Sequence, residues 1–153
     1  MKPEDSDRFQ TGIGYPFQDR RLLVQSLTHS SRIQEVSGTE ELSNEQLEFL
    51  GDSILGFLVA DVLVRRFPDY SEGQLSKLKA YLVSASHLVR AAQRISLGDF
   101  LRLGKGEERS GGRQKKAILV DALEALVAAI YLDGGMEPAR EFVSRWILDG
   151  VDD

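Results

Sequence analysis

The sequence predicts an all-α protein of one domain. Apolar residues recur at spacings of three and four along most of the chain, whereas the strict alternation typical of half-buried strands is nearly absent. Two helix-length segments, 44–64 and 117–132, are apolar around most of their circumference, which is typical of helices buried on all sides. A chain of 153 residues has the size of one domain, and it shows neither an internal repeat nor a linker. We therefore expect residues 1–153 to form a single domain.

The first half of the chain predicts a helix, a polar loop and a long helix. Residues 19–29 have helical spacing of their apolar side chains, and residues 30–43 are polar with no regular period. Ser43 and Gln46 then form a capping-box pattern, in which each side chain satisfies a backbone N–H group at a helix start. This pattern predicts that the long helix begins there and continues over residues 44–64.

Glycine, proline and capping-box patterns also predict where the helices begin and end in the second half of the chain. Gly134 and Gly135 suit the C-terminal end of the second apolar helix, and Pro138 suits the first turn of a last helix. The predicted segments are a helix opened by the capping pattern of Ser71 and Gln74, a helix over 84–95, a flexible glycine-rich loop over 102–113, the apolar helix 117–132 and a last helix through Trp146.

Each apolar helix carries a pair of acidic residues. Glu48 and Asp52 are four residues apart and Asp121 and Glu124 three apart, so each pair projects from one side of its helix, with Glu45 on the stripe of Glu48. Removing an ionised carboxylate from water costs several kcal/mol, and two carboxylates about 5 Å apart repel by roughly 3 kcal/mol. Neither segment contains Lys or Arg. We therefore expect a divalent cation to neutralise the two pairs.

The residue types favour Mg²⁺, with Mn²⁺ as a substitute. Zinc and iron sites normally recruit Cys or His, and the chain has no Cys and only His29 and His87. A single acidic pair is more often a solvated helix face, but two pairs inside apolar helices favour a metal site. Neither histidine neighbours a nucleophile pattern, so we assign neither a catalytic role.

Charge and composition restrict the classes of partner. The net charge of −5 argues against an autonomous nucleic-acid binder, although residues 102–116 hold six basic residues and only two acidic ones. The absence of Cys fits a reducing cytosol, and the N-terminal residues contain no export signal, so we expect a cytoplasmic protein. The longest apolar run is shorter than the ~20 residues needed to span a bilayer, so we expect no membrane partner.

Four motifs resemble, in the same order, segments of the ribonuclease III family. They are SLTHSS at 26–31, NEQLEFLGDSIL at 44–55, LGKGEERSGG at 103–112 and KAILVDALEALVAAIYLDGG at 116–135. The second of these resembles the family signature, and together the four are distributed over residues 26–135. Gln46 replaces the arginine of the signature, Ser30 replaces the arginine of the early element, and Lys116 and Ala117 replace a Glu-Ser pair. None of these departures removes a metal ligand.

The resemblance implies a role for each acidic position. The implied metal ligands are Glu48, Asp52, Asp121 and Glu124, with Asp52 and Glu124 as the catalytic pair, and the implied accessory acids of the cleavage site or the dimer are Glu45 and Glu72. The resemblance also implies a homodimer in which Phe49 reaches into the partner. Without a partner, Phe49 could equally be a core aromatic residue.

The implied activity is that of a metal-dependent endoribonuclease. It would hydrolyse double-stranded RNA to 5′-phosphate and 3′-hydroxyl ends with staggered cuts, as in the processing of rRNA and mRNA precursors. Candidate RNA contacts in the basic segment are Arg109, Arg113 and Lys115, although a basic glycine-rich loop is more often only solvated. Nothing in residues 1–153 encodes the double-stranded-RNA-binding domain of typical bacterial members, so the sequence is either part of a longer protein or a minimal form. For a minimal form we expect weak, salt-dependent RNA affinity.

Two other functions compete with this interpretation. All-α nucleotide pyrophosphohydrolases also hold Mg²⁺ with carboxylates on buried helices, but they are not expected to contain the block LEFLGD, which is present at 47–52. A non-cleaving RNA-binding scaffold is the second alternative. Such scaffolds often lose acidic ligands, whereas all four are present here.

Overall fold

Ten α-helices and one short 3-10 helix are found in a computed structural model that describes residues 1–36, 38 and 40–151. The α-helices are α1 (Pro3–Ile13), α2 (Arg20–Ser26), α3 (Ser30–Glu35), α4 (Glu45–Arg66), α5 (Glu72–Leu82), α6 (Ala85–Arg94), α7 (Leu97–Phe100), α8 (Lys105–Arg109), α9 (Lys116–Gly134) and α10 (Met136–Trp146). The 3-10 helix is Gly112–Gln114. Over the described ranges the only extended pairing is an isolated bridge between Thr28 and Arg102. The predicted all-α class is confirmed.

Helix α9 is the central element of the fold. It packs along α4 and is also contacted by α2, α6 and α10. Its residues 118–130 are buried except Asp121, which is partly buried. This burial explains why the segment is apolar around its whole circumference, since each fully buried Leu, Ile or Val side chain contributes about 1.5–3 kcal/mol. The predicted end of this helix is also confirmed, because Gly134 is its last residue and Gly135 has a φ of 93°.

Gly51 sets the distance between α4 and α9. A Cβ atom built on Gly51 would lie 1.8 Å from the backbone carbonyl oxygen of Glu124 and 2.5 Å from the carbonyl carbon. No side chain fits in that space, so the two helices approach each other backbone to backbone at this position. The contact places Glu48 and Asp52 of α4 beside the acidic pair of α9.

Helix α1 was not expected from the sequence. Pro3 opens it, and Phe9 and Ile13, one turn apart, bury their side chains in the core. Its other residues are mostly polar, and so its apolar stripe is only two side chains wide. The helix ends at Gly14, whose φ of 80° suits a glycine.

Two of the predicted loops contain short helices. Helix α3 lies in the predicted polar loop 30–43, and α8 and the 3-10 helix lie in the predicted flexible loop 102–113. The two regions bond each other, since the Glu35 carboxylate accepts the backbone N–H groups of Lys105 at 2.6 Å and Gly106 at 3.0 Å. The prediction of irregular structure was therefore wrong for these parts. Residues 37 and 39 of the first loop lie outside the described residues.

One of the two predicted capping boxes is formed. Ser71 and Gln74 bond each other's backbone N–H groups at the start of α5. The box expected from Ser43 and Gln46 is wrong, because the residue that caps α4 is Asn44. The backbone N–H of Asn44 donates to the Thr28 carbonyl at 2.9 Å, and its side-chain amide donates to the Ser26 carbonyl at 3.1 Å. A contact with residues 26–28 therefore fixes the beginning of α4.

Candidate metal centre

Three carboxylates from two helices converge where α4 crosses α9. Glu48 comes from α4, and Asp121 and Glu124 come from α9, and each offers an oxygen atom within 4.8 Å of the other two. Asp52, one turn after Glu48, shares a hydrogen bond with Glu124. The structure therefore brings together the four carboxylates that the sequence indicates as ligands. We call these four residues the carboxylate cluster.

Burial and mutual repulsion raise the pKa values of three members of the cluster. Burial, followed by the hydrogen bond and charge of Asp52, raises the pKa of Glu124 to about 8. Burial, followed by the charge of Asp121, raises the pKa of Glu48 to about 7. Burial also raises the pKa of Asp121 above its ordinary value. The cluster therefore holds protons in the absence of a cation, since full ionisation would place uncompensated charge in a poorly solvated site.

The donor set fits a hard divalent cation. All the converging atoms are carboxylate oxygens, which Mg²⁺ and Mn²⁺ prefer, and no histidine or cysteine joins the cluster within the described residues. In the same part of the chain, no Lys or Arg forms an ion pair with any of the four carboxylates. A bound cation would supply the positive charge that ion pairs between described residues do not supply.

The cluster opens to solvent through a shallow depression. Its volume is about 380 Å³, and it is lined by Glu45, Glu48, Phe49, Asp52, Ser53 and Glu124. Glu124 is only 9% exposed and lies at the bottom, whereas Asp52 is exposed at the edge. A larger depression of about 660 Å³ lies between α2 and residues 40–42, but none of the four carboxylates lines it. A large substrate can therefore reach the cluster from one side.

The two accessory acids are placed differently. Glu45 lines the depression beside Glu48. Glu72 is the first residue of α5, is exposed, and does not line the depression. Within one protomer, the structure therefore brings Glu45 to the cluster but not Glu72.

Phe49 lies on an exposed apolar face of α4. Its side chain is 81% exposed, and Phe57 and Val64, two and four turns further on, are 54% and 58% exposed. The three side chains lie within an arc of about 80° on the helix. We call them the outer face of α4. The alternative that Phe49 is a core residue is wrong.

The candidate RNA-contacting residues differ in their surroundings. Arg113 pairs with Glu108 at 2.6 Å and donates to two backbone carbonyl groups, so its guanidinium holds the loop together. Lys115 pairs with Glu107 at 2.5 Å. Arg109 is exposed and forms no ion pair with a described residue. Of the three, only Arg109 has its charge available to an incoming anion.

Long-range contacts that position the segment before α9 could not be predicted from the sequence. Arg102 is held by Glu41 at 2.6 Å and by Thr28 at 2.9 Å, and Glu107 accepts a hydrogen bond from Ser110 at 3.0 Å. The partners of Arg102 lie 61 and 74 residues away along the chain. Local patterns of residue types contain no signal for contacts of this kind.

In the part of the chain that the structure describes, no helix combines the length and apolarity that a bilayer crossing requires.

Comparisons with known sequences point to one family. A family model described as Ribonuclease-III-like matches residues 19–151. The chain is 58% identical over 142 residues to a Ribonuclease 3 of Solibacter usitatus (strain Ellin6076), covering 90% of this chain and 52% of that protein. A Ribonuclease 3 of Geobacter sulfurreducens is 48% identical over 141 residues, covering 92% and 57%. The chain thus spans between half and three fifths of the length of these curated relatives.

Solved structures show the same architecture. A crystal structure of the nuclease domain of ribonuclease III from Campylobacter jejuni matches with a TM-score of 0.87 and 37% identity, covering 100% of this chain and 99% of that one. A second structure of that domain, described as flexible in a region involved in dimer formation, matches with a TM-score of 0.85 and 38% identity, covering 94% and 96%. Dicer from Pichia stipitis, at 22% identity and a TM-score of 0.64, shares the fold.

Proposed function

The chain belongs to the ribonuclease III family, and from this premise we propose that it is a metal-dependent endonuclease that hydrolyses double-stranded RNA. The observation that carries the proposal is the convergence of Glu48, Asp121 and Glu124, with Asp52 bonded to Glu124, in a depression open to solvent. An array of acidic side chains that form no ion pair with a described Lys or Arg repels a polyanion unless a cation lies between them. The site therefore suits metal-assisted hydrolysis of a phosphodiester.

The four residues of the carboxylate cluster would hold Mg²⁺ or Mn²⁺. When bound, such an ion supplies Lewis-acid chemistry, which activates water as the nucleophile and stabilises negative charge on the phosphate and the leaving 3′ oxygen. The expected products are 5′-phosphate and 3′-hydroxyl ends.

The residues of the protein position the carboxylates and determine which of them carry protons before a cation binds. Glu124 is held in place through its backbone, which contacts Gly51, and through its side chain, which bonds Asp52. Since the pKa values of Glu124 and Glu48 are about 8 and 7 in the metal-free protein, both carboxyl groups must release protons before they can act as ligands. We assign Asp52 and Glu124 as the catalytic pair because they lie at the edge and at the bottom of the same depression.

We further propose that two copies of the chain associate through the outer face of α4. Phe49, Phe57 and Val64 expose apolar surface along one side of the helix that also carries Glu48 and Asp52. Burial of this surface in a dimer would place two carboxylate clusters on one assembly. Two sites acting on opposite strands of one duplex would give staggered cuts, and we propose structured rRNA and mRNA precursors as the substrates.

Recognition of the duplex would depend on shape and phosphate contacts. The major groove of A-form RNA is too deep and narrow for side chains to read bases, so we expect little sequence preference. Among the basic residues of the loop before α9, Arg109 is the candidate with an available charge, whereas Arg113 and Lys115 are paired. The net charge of −5 makes the affinity dependent on a few such contacts and on the bound cation.

The proposal is tested by cleavage of end-labelled RNA. The chain and its Glu124→Gln variant are incubated with a duplex and with the corresponding single strand, in Mg²⁺ or in chelator, and the product ends are mapped. We expect Mg²⁺-dependent cuts of the duplex that carry 5′-phosphates and are slowed at least about 100-fold in Glu124→Gln. The matched control is Glu137→Gln, an exposed residue of α10, which should cleave like the original chain.

Three outcomes would count against the proposal. Equal cleavage by Glu124→Gln would exclude the carboxylate cluster as the site of hydrolysis. Hydrolysis of free nucleoside triphosphates in place of RNA would favour a pyrophosphohydrolase. Duplex binding without cleavage by a folded, metal-loaded chain would favour a scaffold.

A further inference from the structure

Lys79 lies on the side of α5 that packs against the rest of the protein. Leu75, Leu78 and Leu82 mark this side with buried or half-buried side chains, and Lys79 falls within the same arc of about 100° on the helix. Lys79 is itself half-buried, whereas Lys77 is exposed on the opposite side of α5. A lysine in such a position buries its aliphatic stem and brings its ammonium group to the edge of the packed surface.

The ammonium group of Lys79 lies against α4 at Gly56. A Cβ atom built on Gly56 would be 3.7 Å from both Cε and Nζ of Lys79. Gly56 comes four residues after Asp52, which is about 6 Å along the helix and about 40° around it. Asp52 lines the depression that leads to the carboxylate cluster. The end of the Lys79 side chain therefore lies one helical turn beyond the edge of that depression, along the same stripe of α4.

No carboxylate of a described residue neutralises this ammonium group. Neither Lys79 nor Asp52 forms an ion pair within the described ranges, although only one turn of α4 separates Asp52 from Gly56. Lys79 consequently does not compete with a divalent cation for the carboxylate of Asp52. Gly56 has no side chain that could cover the ammonium group, so its charge remains available to an anion.

A nucleic-acid strand is the anion that suits this arrangement. A phosphate at the carboxylate cluster would lie beside the bound cation, whereas the next phosphate of the same strand would lie beyond it. An ammonium group offers a compact positive charge and three hydrogen-bond donors to the oxygens of such a phosphate. A lysine in the last turn of a helix also interacts favourably with the helix dipole, and the experiments below separate this effect from phosphate binding.

We propose that Lys79 binds the phosphate next to the one cleaved at the carboxylate cluster, on the same RNA strand, and thereby positions that strand along α4. The proposal rests on the proposed ribonuclease function. Lys79 is a positioning residue and takes no part in the reaction at phosphorus. The duplex contacts thus extend from the basic loop before α9 to a side chain that the sequence places within a helix.

Loss of this charge should weaken duplex binding in a salt-dependent way. The inactive Glu124→Gln chain is the parent for affinity measurements in Mg²⁺, and Lys79→Gln, Lys79→Arg and Lys77→Gln are each added to it. We expect Lys79→Gln to bind about 5- to 10-fold more weakly at low salt and to reduce the salt slope by about one, since one phosphate contact is lost. Lys79→Arg should bind like the parent. Lys77→Gln, the matched control on the exposed side of α5, should also bind like the parent.

Neutral phosphate analogues identify the phosphate that Lys79 binds. Two duplexes each carry an uncharged methylphosphonate in place of the phosphate on one side or the other of the cleaved one. With one of these duplexes, the parent should bind as weakly as Lys79→Gln binds the unmodified duplex, and Lys79→Gln should show no further loss. This comparison includes the parent itself, so it does not depend on the folding of a Lys79 variant alone.

Thermal melting and sedimentation velocity separate a structural role from phosphate binding. Lys79→Gln should melt close to the parent and keep its oligomeric state. A shift of Lys79→Gln from dimer to monomer would show that the ammonium group pairs with a carboxylate of a second copy, and this would overturn the inference.

The outcomes distinguish this inference from the proposed function. If the original chain cleaves duplex RNA but Lys79→Gln binds with the affinity and salt slope of the parent, the role of Lys79 is excluded and the nuclease assignment stands. Losses from Lys79→Gln and from the methylphosphonate that simply add, at both positions, would also overturn the inference. If the original chain cleaves no duplex in any metal, the proposed function fails, and a contact defined by the cleaved phosphate fails with it.

Discussion

Glu124 combines three functions that usually fall to different residues. Its carbonyl oxygen is the atom against which α4 packs, its carboxylate belongs to the cluster, and its side chain bonds Asp52. At 9% exposure it is also the least solvated member of the cluster. A charge at this position is therefore coupled directly to the stability of the two central helices.

The stability of the metal-free protein should fall as the pH rises through neutrality. The pKa of Glu124 is about 8 in the folded chain, whereas its ordinary value is 4.5. The stability that its neutral form contributes is therefore fully present below pH 4.5 and is lost as the pH rises through 8. A proton bound only in the folded state changes the free energy of unfolding by at most about 1.4 kcal/mol per pH unit. Glu48, with a pKa of about 7, acts in the same direction but is more solvated. The measurement is denaturant unfolding in chelator between pH 5 and 9.

Two controls identify the source of this pH dependence. Glu124→Gln should flatten it, because the amide does not titrate, and saturating Mg²⁺ should reduce it by compensating the ionised carboxylates. Three other acids, Glu41, Asp61 and Asp133, are hydrogen-bonded and have lowered pKa values. The stability that their ionised forms contribute is therefore lost only in acid, below the measured range of pH 5 to 9. A free energy of unfolding that rises from pH 5 to pH 8 in chelator would contradict the expectation.

At the scale of single residues, the sequence indicated which carboxylates converge better than it indicated their surroundings. The four carboxylates could be identified because acidic residues at helical spacing within apolar helices are visible in any one sequence. The internal role of Arg113 could not, because it bonds the carbonyl groups of Gly98 and Leu101, and backbone acceptors leave no mark on residue types.

At the scale of elements, the packing of α4 on α9 determines whether the cluster forms. Gly51→Ala would drive a methyl group into the backbone of Glu124, so the helices must separate or bend. We expect a loss of about 1–3 kcal/mol in the free energy of unfolding, together with weaker Mg²⁺ binding. Denaturant unfolding and a metal titration followed by calorimetry measure the two effects.

The matched control for this substitution is in another helix. A Cβ atom on Gly12 of α1 would meet nothing within 4 Å, so Gly12→Ala should leave metal binding unchanged and stabilise the helix by up to about 1 kcal/mol. Equal stability and equal metal affinity of Gly51→Ala and the original chain would show that α4 and α9 can adjust without loss.

The two longest helices could be predicted, whereas α3 and α8 could not. Helices α4 and α9 have 22 and 19 residues, and their apolar content alone requires a buried environment. Helices α3 and α8 have 6 and 5 residues and are too short to be stable in isolation. Their helical structure depends on Glu35, whose carboxylate joins the two segments across 70 residues of chain.

At the scale of the whole molecule, the outer face of α4 determines the expected assembly. Phe49→Asp places a charge where the proposed dimer buries an aromatic ring, so we expect a shift from dimer to monomer in sedimentation velocity. Leu132→Asp, at a residue 51% exposed on α9, is the control that should leave the dimer intact. A chain that is monomeric before substitution, or a Phe49→Asp variant that remains dimeric, would exclude this surface as the interface.

The fold class could be predicted because the helical spacing of apolar residues can be read from a single sequence. The exposure of Phe49 could not be decided in the same way, since an aromatic residue on an apolar helix suits a core and an interface equally well. The structure excludes the core, because the side of α4 that carries Phe49 is exposed, and the interface remains a proposal.

The backbone contact at Gly51 also bears on which ion the site accepts. Mg²⁺ binds oxygen at 2.0–2.1 Å and Ca²⁺ at 2.3–2.6 Å, a difference of a few tenths of an ångström per bond. Because the backbones of α4 and α9 are in contact at Gly51, the two helices cannot move closer together. Only rotation of the side chains can then shorten the distance between the carboxylates of α4 and those of α9. We therefore expect a substitution at Gly51, a position that carries no ligand, to alter ion preference while every carboxylate stays in the sequence.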